Sequence, residues 1–196
     1  MNQNIFIIYI SLIIGVYLYS SIPFALLIGK IYGIDIRNEG SKNIGGSNLG
    51  RTCGAHTFIL AFILDMSKGI FAVLLANYFN LNPLFIFPFA IIGHTFSCFI
   101  HFKGGKGVAT AFGFALAYSF IPAIIAIISF LIFLYTRKYV SLASILAIFI
   151  FSIVGFITHN YILGFFVLLM NILVIYLHRN NIKNIKNGTE RKITWM

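Results

Sequence analysis

Seven long apolar runs follow one another along the chain, with few polar residues inside them. Short breaks that carry Gly, Pro, Asn or charged residues separate the runs. The runs cover residues 4–28, 57–79, 84–100, 108–120, 122–135, 142–157 and 161–177. Long apolar stretches with no alternating polar face are typical of membrane helices, which need roughly 20 residues to cross the hydrocarbon core. The pattern therefore predicts an all-α integral membrane protein.

The fourth and fifth runs are each shorter than a usual span, and one alternative is a single long helix kinked at Pro122. Basic residues favour two separate spans. With seven spans, the loops around Arg37, Lys106 and Arg137 and the segment after the last run all lie on one side, as the positive-inside rule requires. We therefore predict seven transmembrane helices, with the N-terminus outside and the C-terminus in the cytoplasm.

Composition agrees with a membrane protein. Hydrophobic residues make up 60% of the chain and charged residues 9%, whereas a soluble domain carries about 25% charged residues. The net charge of +10 would suggest nucleic acid in a soluble protein. Here the basic residues lie between apolar runs. One explanation is membrane topology, because basic loops stay in the cytoplasm, and the other is binding of an anionic substrate or lipid headgroup. We expect a multi-pass protein of the cell inner membrane that contacts membrane lipid and binds no nucleic acid.

Asp65 and Lys68 are two charged residues inside the second apolar run. A charge within the bilayer is costly and needs a partner, and positions i and i+3 share one face of a helix. We expect the two side chains to pair. One interpretation is a structural ion pair, and the other is that Lys68 supports an anion site from below.

Two polar segments have the composition of phosphate-binding loops. The first covers residues 40–51, where glycines allow backbone N–H groups to form an anion-binding nest and small polar side chains add donors. Its candidate residues are Ser41, Asn43, Gly45, Ser47, Asn48 and Arg51. The second covers residues 102–110 and leads into an apolar helix, whose first N–H groups and dipole attract anions. Its candidate residues are Gly104, Gly105, Lys106 and Gly107. The alternative for each is an ordinary flexible loop.

A third polar segment, residues 178–191, follows the last apolar run and contains His178, Asn181 and Glu190. A basic tail that touches anionic lipid explains its Lys and Arg residues, but not these three. In the predicted topology all three segments lie on the cytoplasmic face. They therefore predict one site for a phosphorylated substrate at the depth where an acyl chain can enter from the bilayer.

Several segments together resemble the acyl-phosphate:glycerol-3-phosphate acyltransferase family. The matching segments are 40–48 with Arg51, 93–97 with 102–110, 178–182 with 188–190, and also 65–69 and 139–144. They span nearly the whole chain. The departures from the family pattern are Lys42 for Gly, Ile44 for Pro, Gly46 for Ala, Ser47 for Thr and Ser97 for Pro. Lys42 is the largest change, since it adds a charge beside the expected phosphate site.

The resemblance implies a single transmembrane acyltransferase domain over residues 1–196. It implies transfer of an acyl group from acyl phosphate to the 1-hydroxyl of glycerol 3-phosphate, the first step of phospholipid biosynthesis. The expected products are 1-acylglycerol 3-phosphate and phosphate, with no cofactor and no metal. A candidate partner is the enzyme that makes acyl phosphate. The His-x-x-x-x-Asp pair of acyltransferases that use coenzyme A or a carrier protein is absent from the sequence, which agrees with a different donor.

The candidate residues then take roles by chemistry. Ser41 and Arg51 are expected to bind glycerol 3-phosphate, Lys106 to neutralise the leaving phosphate, and Asn181 with His178 to orient the attacking hydroxyl. The glycines of the second loop, with Ser47 and Asn48, would hold the acyl phosphate. The remaining substrate-binding candidates are Asn43, Gly45, Ser141 and Glu190.

The group that takes the hydroxyl proton is left open between His178 and a substrate phosphate. No carboxylate obviously orients His178 in the sequence, which favours the phosphate. Two other classes of protein remain as alternatives. An anion transporter or channel would suit the many spans and the intramembrane charges, and a structural membrane subunit would leave the polar motifs unexplained.

Overall fold

All regular secondary structure in residues 3–193, the part of the chain that the computed structural model describes, is helical. The all-α prediction is therefore confirmed. The helices are α1 (Gln3–Ser21), α2 (Phe24–Ile31), α3 (Gly46–Cys53), α4 (Ala55–Tyr78), α5 (Pro83–Thr95), α6 (Val108–Tyr118), α7 (Phe120–Arg137), α8 (Val140–Ile157), α9 (Tyr161–Leu177) and α10 (Arg179–Lys186).

Five segments of the described chain are long and apolar enough to cross a membrane. A sixth is added if α9 and α10, which meet at a bend of 62°, are counted as one broken span. Helix α6 has only 11 residues, a length of about 17 Å at 1.5 Å per residue, which is shorter than the hydrocarbon core. The chain is thus a multi-pass membrane protein, while the count of seven spans and their orientation stay predictions.

The chain divides into two compact units, Met1–Tyr118 and Ser119–Met196, and the single domain stays a prediction. In the first unit α4 packs against α3, α5 and α6, while α1 packs against α5. Two glycines make the close contact of α4 with α6 possible. A Cβ atom added to Gly113 would lie 2.7 Å from the carbonyl carbon of Met66, and one added to Gly69 would clash with the backbone of Thr110. Such small residues allow membrane helices to approach at backbone distance.

In the second unit α8 packs against both α7 and α9. Ser152 on α8 donates a hydrogen bond to the carbonyl oxygen of Gly164 on α9, at 2.8 Å. A buried hydroxyl in this position satisfies its donor without water, as the bilayer interior requires. Helix α10 contacts α8 and α9, and it forms the central part of the third polar segment.

Candidate functional site

The first polar loop is organised around Asn48, which is only 2% exposed. Its Oδ1 accepts a hydrogen bond from the backbone N–H of Ser41 at 2.8 Å. Its Nδ2 donates to the carbonyl oxygens of Ile36 at 2.9 Å and Glu39 at 3.0 Å. A buried amide with this many backbone partners fixes the conformation of the loop. Asn48 therefore holds the loop together, and its predicted contact with substrate stays a prediction.

Helix α3 begins immediately after Gly45, so the N–H groups of its first turn are located within the same loop. Ser41 is exposed, whereas Asn43, Ser47 and Arg51 are partly buried. The structure brings these five predicted residues into one stretch beside the buried Asn48. A short stretch of backbone N–H groups and hydroxyls at a helix start is suited to an anion.

A cleft of about 520 Å³ lies beside this loop. Its polar lining comes from the two predicted loops and from residues shortly before each of them: Arg37, Lys42, Asn43, His101 and Lys103. Among residues 3–193, no acidic group pairs with the ammonium group of Lys42 or of Lys103. The cleft is therefore a cationic surface that favours anions.

Arg37 differs from the two lysines because Asp35 neutralises it. The Nε of Arg37 donates to Oδ1 of Asp35 at 2.8 Å, and its terminal nitrogen also contacts that carboxylate. The hydrogen bond from the Arg37 side chain lowers the pKa of Asp35 from 3.8 to about 2. The carboxylate thus stays ionised at any physiological pH, and the positive charge of the cleft comes mainly from its lysines.

The second polar loop is fastened to the end of α5 by its glycines. The N–H of Gly104 donates to the carbonyl oxygen of Thr95 at 2.8 Å, and that of Gly105 donates to the carbonyl oxygen of His94 at 3.1 Å. A Cβ atom on Gly104 would lie 2.7 Å from the oxygen of Thr95, which is too close for a side chain. Gly107 has a φ of +75° and turns the chain into α6.

The two glycine N–H groups have backbone partners, so the predicted anion nest does not rest on these donors. Their absent side chains instead let the loop approach α5 closely. Lys106, partly buried in the same loop, stands two residues before α6 begins. Its predicted role toward the leaving phosphate stays a prediction.

The predicted pairing of Asp65 with Lys68 is confirmed, with 2.7 Å between Oδ1 and Nζ. The structure adds a third member, because His94 Nδ1 lies 3.2 Å from Lys68 Nζ and 3.5 Å from Asp65 Oδ1. Sequence reasoning missed His94 as part of this cluster. The Gly-His pair at the end of the third apolar run was the available signal, since a buried polar ring there needs a partner.

In the second unit, Glu190 links two predicted residues. Its Oε1 accepts hydrogen bonds from the hydroxyl of Ser141 at 3.0 Å and from Nδ2 of Asn181 at 2.7 Å. The backbone N–H of Ile193 also donates to the carbonyl oxygen of Lys138, at 3.0 Å. The carboxylate thus ties the C-terminal segment to the start of α8 and fixes the Asn181 amide with its Nδ2 toward Glu190.

His178 is 4% exposed and stands between α9 and α10. Its Nδ1 lies 2.8 Å from the carbonyl oxygen of Val174, one helical turn earlier. A carbonyl oxygen only accepts, so Nδ1 carries the proton and the lone pair of the neutral ring lies on Nε2. A main-chain carbonyl of α9 thus orients the Nδ1 side of this ring.

Comparison with known proteins identifies the family. The family model described as glycerol-3-phosphate acyltransferase matches residues 10–188. The glycerol-3-phosphate acyltransferase of Bacillus subtilis is 43% identical over 188 residues, which cover 94% of this chain and 97% of the relative. The protein of the same name from Fusobacterium nucleatum is 42% identical and covers 92% of this chain, with 95% of its own length matched.

Two solved structures are also similar over most of their length. One is the crystal structure of PlsY, an integral membrane glycerol 3-phosphate acyltransferase, in its glycerol 3-phosphate form. It has 35% sequence identity and a TM-score of 0.89, and it covers 94% of this chain and 95% of that one. A lysophosphatidic acid form of PlsY has a TM-score of 0.85 with 95% of each chain covered. The chain therefore belongs to the glycerol-3-phosphate acyltransferase family and is a multi-pass membrane acyltransferase.

Proposed function

We propose that this enzyme transfers a fatty acyl group from acyl phosphate to the 1-hydroxyl of glycerol 3-phosphate. The products are 1-acylglycerol 3-phosphate and inorganic phosphate, and the reaction begins phospholipid synthesis. The main support is the similarity, over 94% of the chain, to a protein solved with both glycerol 3-phosphate and lysophosphatidic acid. The cationic cleft of about 520 Å³ supports a phosphorylated substrate.

This reaction depends less on a strong base than on positively charged groups. The hydroxyl oxygen attacks the carbonyl carbon of the acyl phosphate, the bond between that carbon and the bridging oxygen breaks, and the electron pair leaves with the phosphate that keeps this oxygen. Because the mixed anhydride already has a good leaving group, the main tasks are to align two anionic substrates and to stabilise the charge on the carbonyl oxygen and phosphate.

In the first unit, we assign Lys106 to the leaving phosphate, and Ser41 and Arg51 to glycerol 3-phosphate. The N–H groups and hydroxyl at the start of α3 provide further donors toward phosphate oxygens. Asn48, held by three backbone partners, keeps this loop in its binding conformation. Such preorganised donors act on charge that develops in the transition state.

In the second unit, we assign Asn181 and His178 to the attacking hydroxyl. Glu190 holds the amide of Asn181, and the hydroxyl of Ser141 donates to the same carboxylate oxygen of Glu190. The proton passes to an oxygen of the phosphate, which becomes more basic as it leaves. The carbonyl oxygen of Val174 holds Nδ1 of the His178 ring in place. We therefore give His178 an orienting role.

The same proposal places the chain in the cell inner membrane with seven spans and its C-terminus in the cytoplasm. Acyl phosphate has a long apolar tail and glycerol 3-phosphate is soluble in water. An enzyme at the inner leaflet meets the first substrate from the bilayer and the second from the cytoplasm. The basic residues between the apolar segments support this orientation.

The test is release of inorganic phosphate by purified protein given acyl phosphate, with and without glycerol 3-phosphate. We expect release that depends on the acceptor, and no product when acyl coenzyme A replaces acyl phosphate. A lack of acceptor-dependent release would refute acyl phosphate as the donor, and product formation from acyl coenzyme A would point to that donor instead. Lys106→Ala should lower turnover by more than about 100-fold, whereas Lys30→Ala, an exposed cation at the end of α2, serves as the matched control.

His178→Ala separates the two proton acceptors. An orienting role predicts that part of the turnover remains at saturating substrate, with little change in its dependence on pH. Complete loss of turnover, in a protein that still folds and binds glycerol 3-phosphate, would instead identify His178 as the obligatory base.

A further inference from the structure

Three ionisable side chains form a buried cluster that the proposed reaction does not use. Asp65, Lys68 and His94 are 3%, 1% and 8% exposed. Asp65 and Lys68 lie within α4, one of the helices that is apolar and long enough to span the bilayer. Buried ionisable groups in membrane segments are costly, and they mark functional positions more often than packing positions.

Asp65 and Lys68 already pair with each other, so His94 is the member that needs an explanation. An ammonium group has donors only. The 3.2 Å contact between Lys68 Nζ and His94 Nδ1 therefore makes Nδ1 the acceptor. A neutral imidazole that accepts at Nδ1 carries its proton on Nε2. Lys68, held by Asp65, thus fixes His94 as an Nε2–H donor.

The Nε2 side of this ring faces the second polar loop. A Cβ atom on Gly105 would clash with Nε2 of His94, and it would lie 3.0 Å from the neighbouring ring carbon. The carbonyl oxygen of His94 also accepts the N–H of Gly105 at 3.1 Å. His94 therefore contacts the second polar loop at Gly105 through both its ring and its backbone.

A small cavity lies beneath the loop, lined by Ser21, Lys68, His94 and Gly105 among others. Ser21 is fully buried, and its hydroxyl makes no hydrogen bond within the described residues. The His94 ring also has no acceptor for an Nε2 proton among the hydrogen bonds of residues 3–193. The cavity has space for about one water molecule, and a buried hydroxyl without a partner beside a ring N–H is the usual setting for such a water.

We propose that His94 is a positioning residue for the glycine loop that carries Lys106. Asp65 and Lys68 hold its ring in the Nε2–H form, and one water under the loop connects Nε2–H with the hydroxyl of Ser21. This inference rests on the proposed function only for its effect on turnover, since the tautomer of His94 is a property of the protein itself.

The first experiment measures that tautomer directly. Histidine labelled with ¹⁵N, assigned by comparison with His94→Gln, should show His94 as a neutral ring protonated on Nε2. Lys68→Met, which keeps the length of the side chain and removes the donor, should convert His94 to a mixture of tautomers. A wild-type ring protonated on Nδ1, or on both nitrogens, would overturn the inference whether or not the enzyme uses acyl phosphate.

The second experiment uses turnover, once acceptor-dependent phosphate release by the wild type is established. His94→Gln keeps an N–H donor near the position of Nε2, and we expect kcat within about threefold of wild type. His94→Asn places its amide near Nδ1 instead, and we expect kcat to fall by about 10- to 100-fold, as for a misplaced catalytic group. The KM for glycerol 3-phosphate should change by less than about threefold in both, because a misplaced Lys106 affects the transition state.

Equal loss in the Gln and Asn variants would overturn the positioning role, and so would wild-type kcat in the Asn variant. Melting temperatures in detergent accompany both variants, because a structural role alone would lower stability and leave kcat of the folded fraction unchanged. If neither variant folds, the tautomer in the wild type and in Lys68→Met decides the inference.

Discussion

Gly113 lies in the contact between α4 and α6, about one and a half turns after α6 begins. Replacing it with Ala is expected to lower catalytic activity by forcing these two helices apart. The new Cβ atom would lie 2.7 Å from the carbonyl carbon of Met66 and 2.9 Å from its Cα, with the carbonyl oxygen closer still. An ordinary contact begins near 3.4 Å, so α4 and α6 must separate by about 1 Å. Overpacking of this kind costs about 1–3 kcal/mol.

Moving α6 away from α4 would also displace the second polar loop, because α6 starts directly after Gly107. The hydrogen bond from Thr110 Oγ1 to the carbonyl oxygen of Asp65, at 3.1 Å, crosses the same contact and would weaken. A shift of about 1 Å at a catalytic group costs on the order of 100-fold in rate. We therefore expect Gly113→Ala to lower kcat by about 10- to 100-fold while most of the protein stays folded.

The assay is acceptor-dependent phosphate release, with the melting temperature measured on the same samples. Gly15→Ala is the matched control, since a Cβ atom at Gly15 on α1 would meet nothing within 4 Å. Wild-type kcat and an unchanged melting temperature for Gly113→Ala would refute the reasoning, because the close contact would then be unnecessary. An equal loss in Gly15→Ala would show that any added methyl in a span is harmful.

Three further predictions concern other parts of the chain. Glu190→Ala should lower the free energy of unfolding by about 1–3 kcal/mol, because two hydrogen bonds to one carboxylate oxygen are lost. Thermal unfolding measures this change, and Glu190→Gln should lose less stability. Lys42→Gly should raise the KM for glycerol 3-phosphate, more so at low salt, because it removes a cation from the cleft. Single cysteines at Lys42 and Lys183 should react with an impermeant thiol reagent only from the cytoplasmic side, and one at Asn80 only from outside.

Each of these has an outcome that contradicts it. Equal unfolding temperatures for Glu190→Ala and wild type would show that the carboxylate does not hold the C-terminal segment. An unchanged KM for Lys42→Gly at low ionic strength would show that the cleft does not attract the substrate. Backbone strain would not explain such a result, because glycine tolerates the φ of 58° at that position. Labelling of Lys42 and Lys183 from opposite sides would contradict the seven-span topology.

The helices were predictable because lipid leaves the backbone few alternatives. Each of the seven apolar runs corresponds to a helix of the structure, and the two short ones form separate helices that meet at Ser119. The break inside the first run was not predicted. Pro23 has no N–H to continue the ladder, so α1 ends at Ser21 and α2 begins at Phe24.

The polar residues were predictable by type but not by partner. Asp65 and Lys68 pair because i and i+3 share a helix face, which sequence alone reveals. His94 lies 26 positions from Lys68, and only the packing of α4 on α5 brings the two together. The backbone partners of Gly104 and Gly105 were hidden for the same reason, since a glycine motif does not say which carbonyl its N–H will meet.

The three backbone hydrogen bonds of Asn48 have a consequence for the thermodynamics of ligand binding. A loop already closed around a buried amide loses little conformational entropy when an anion arrives, so the cost of ordering is met during folding. Titration calorimetry with glycerol 3-phosphate should then give a small heat-capacity change, typical of lock-and-key association. We expect a loop of this kind to have little freedom to reshape itself around bulkier polyol phosphates, and therefore to restrict the acceptors that the enzyme can use.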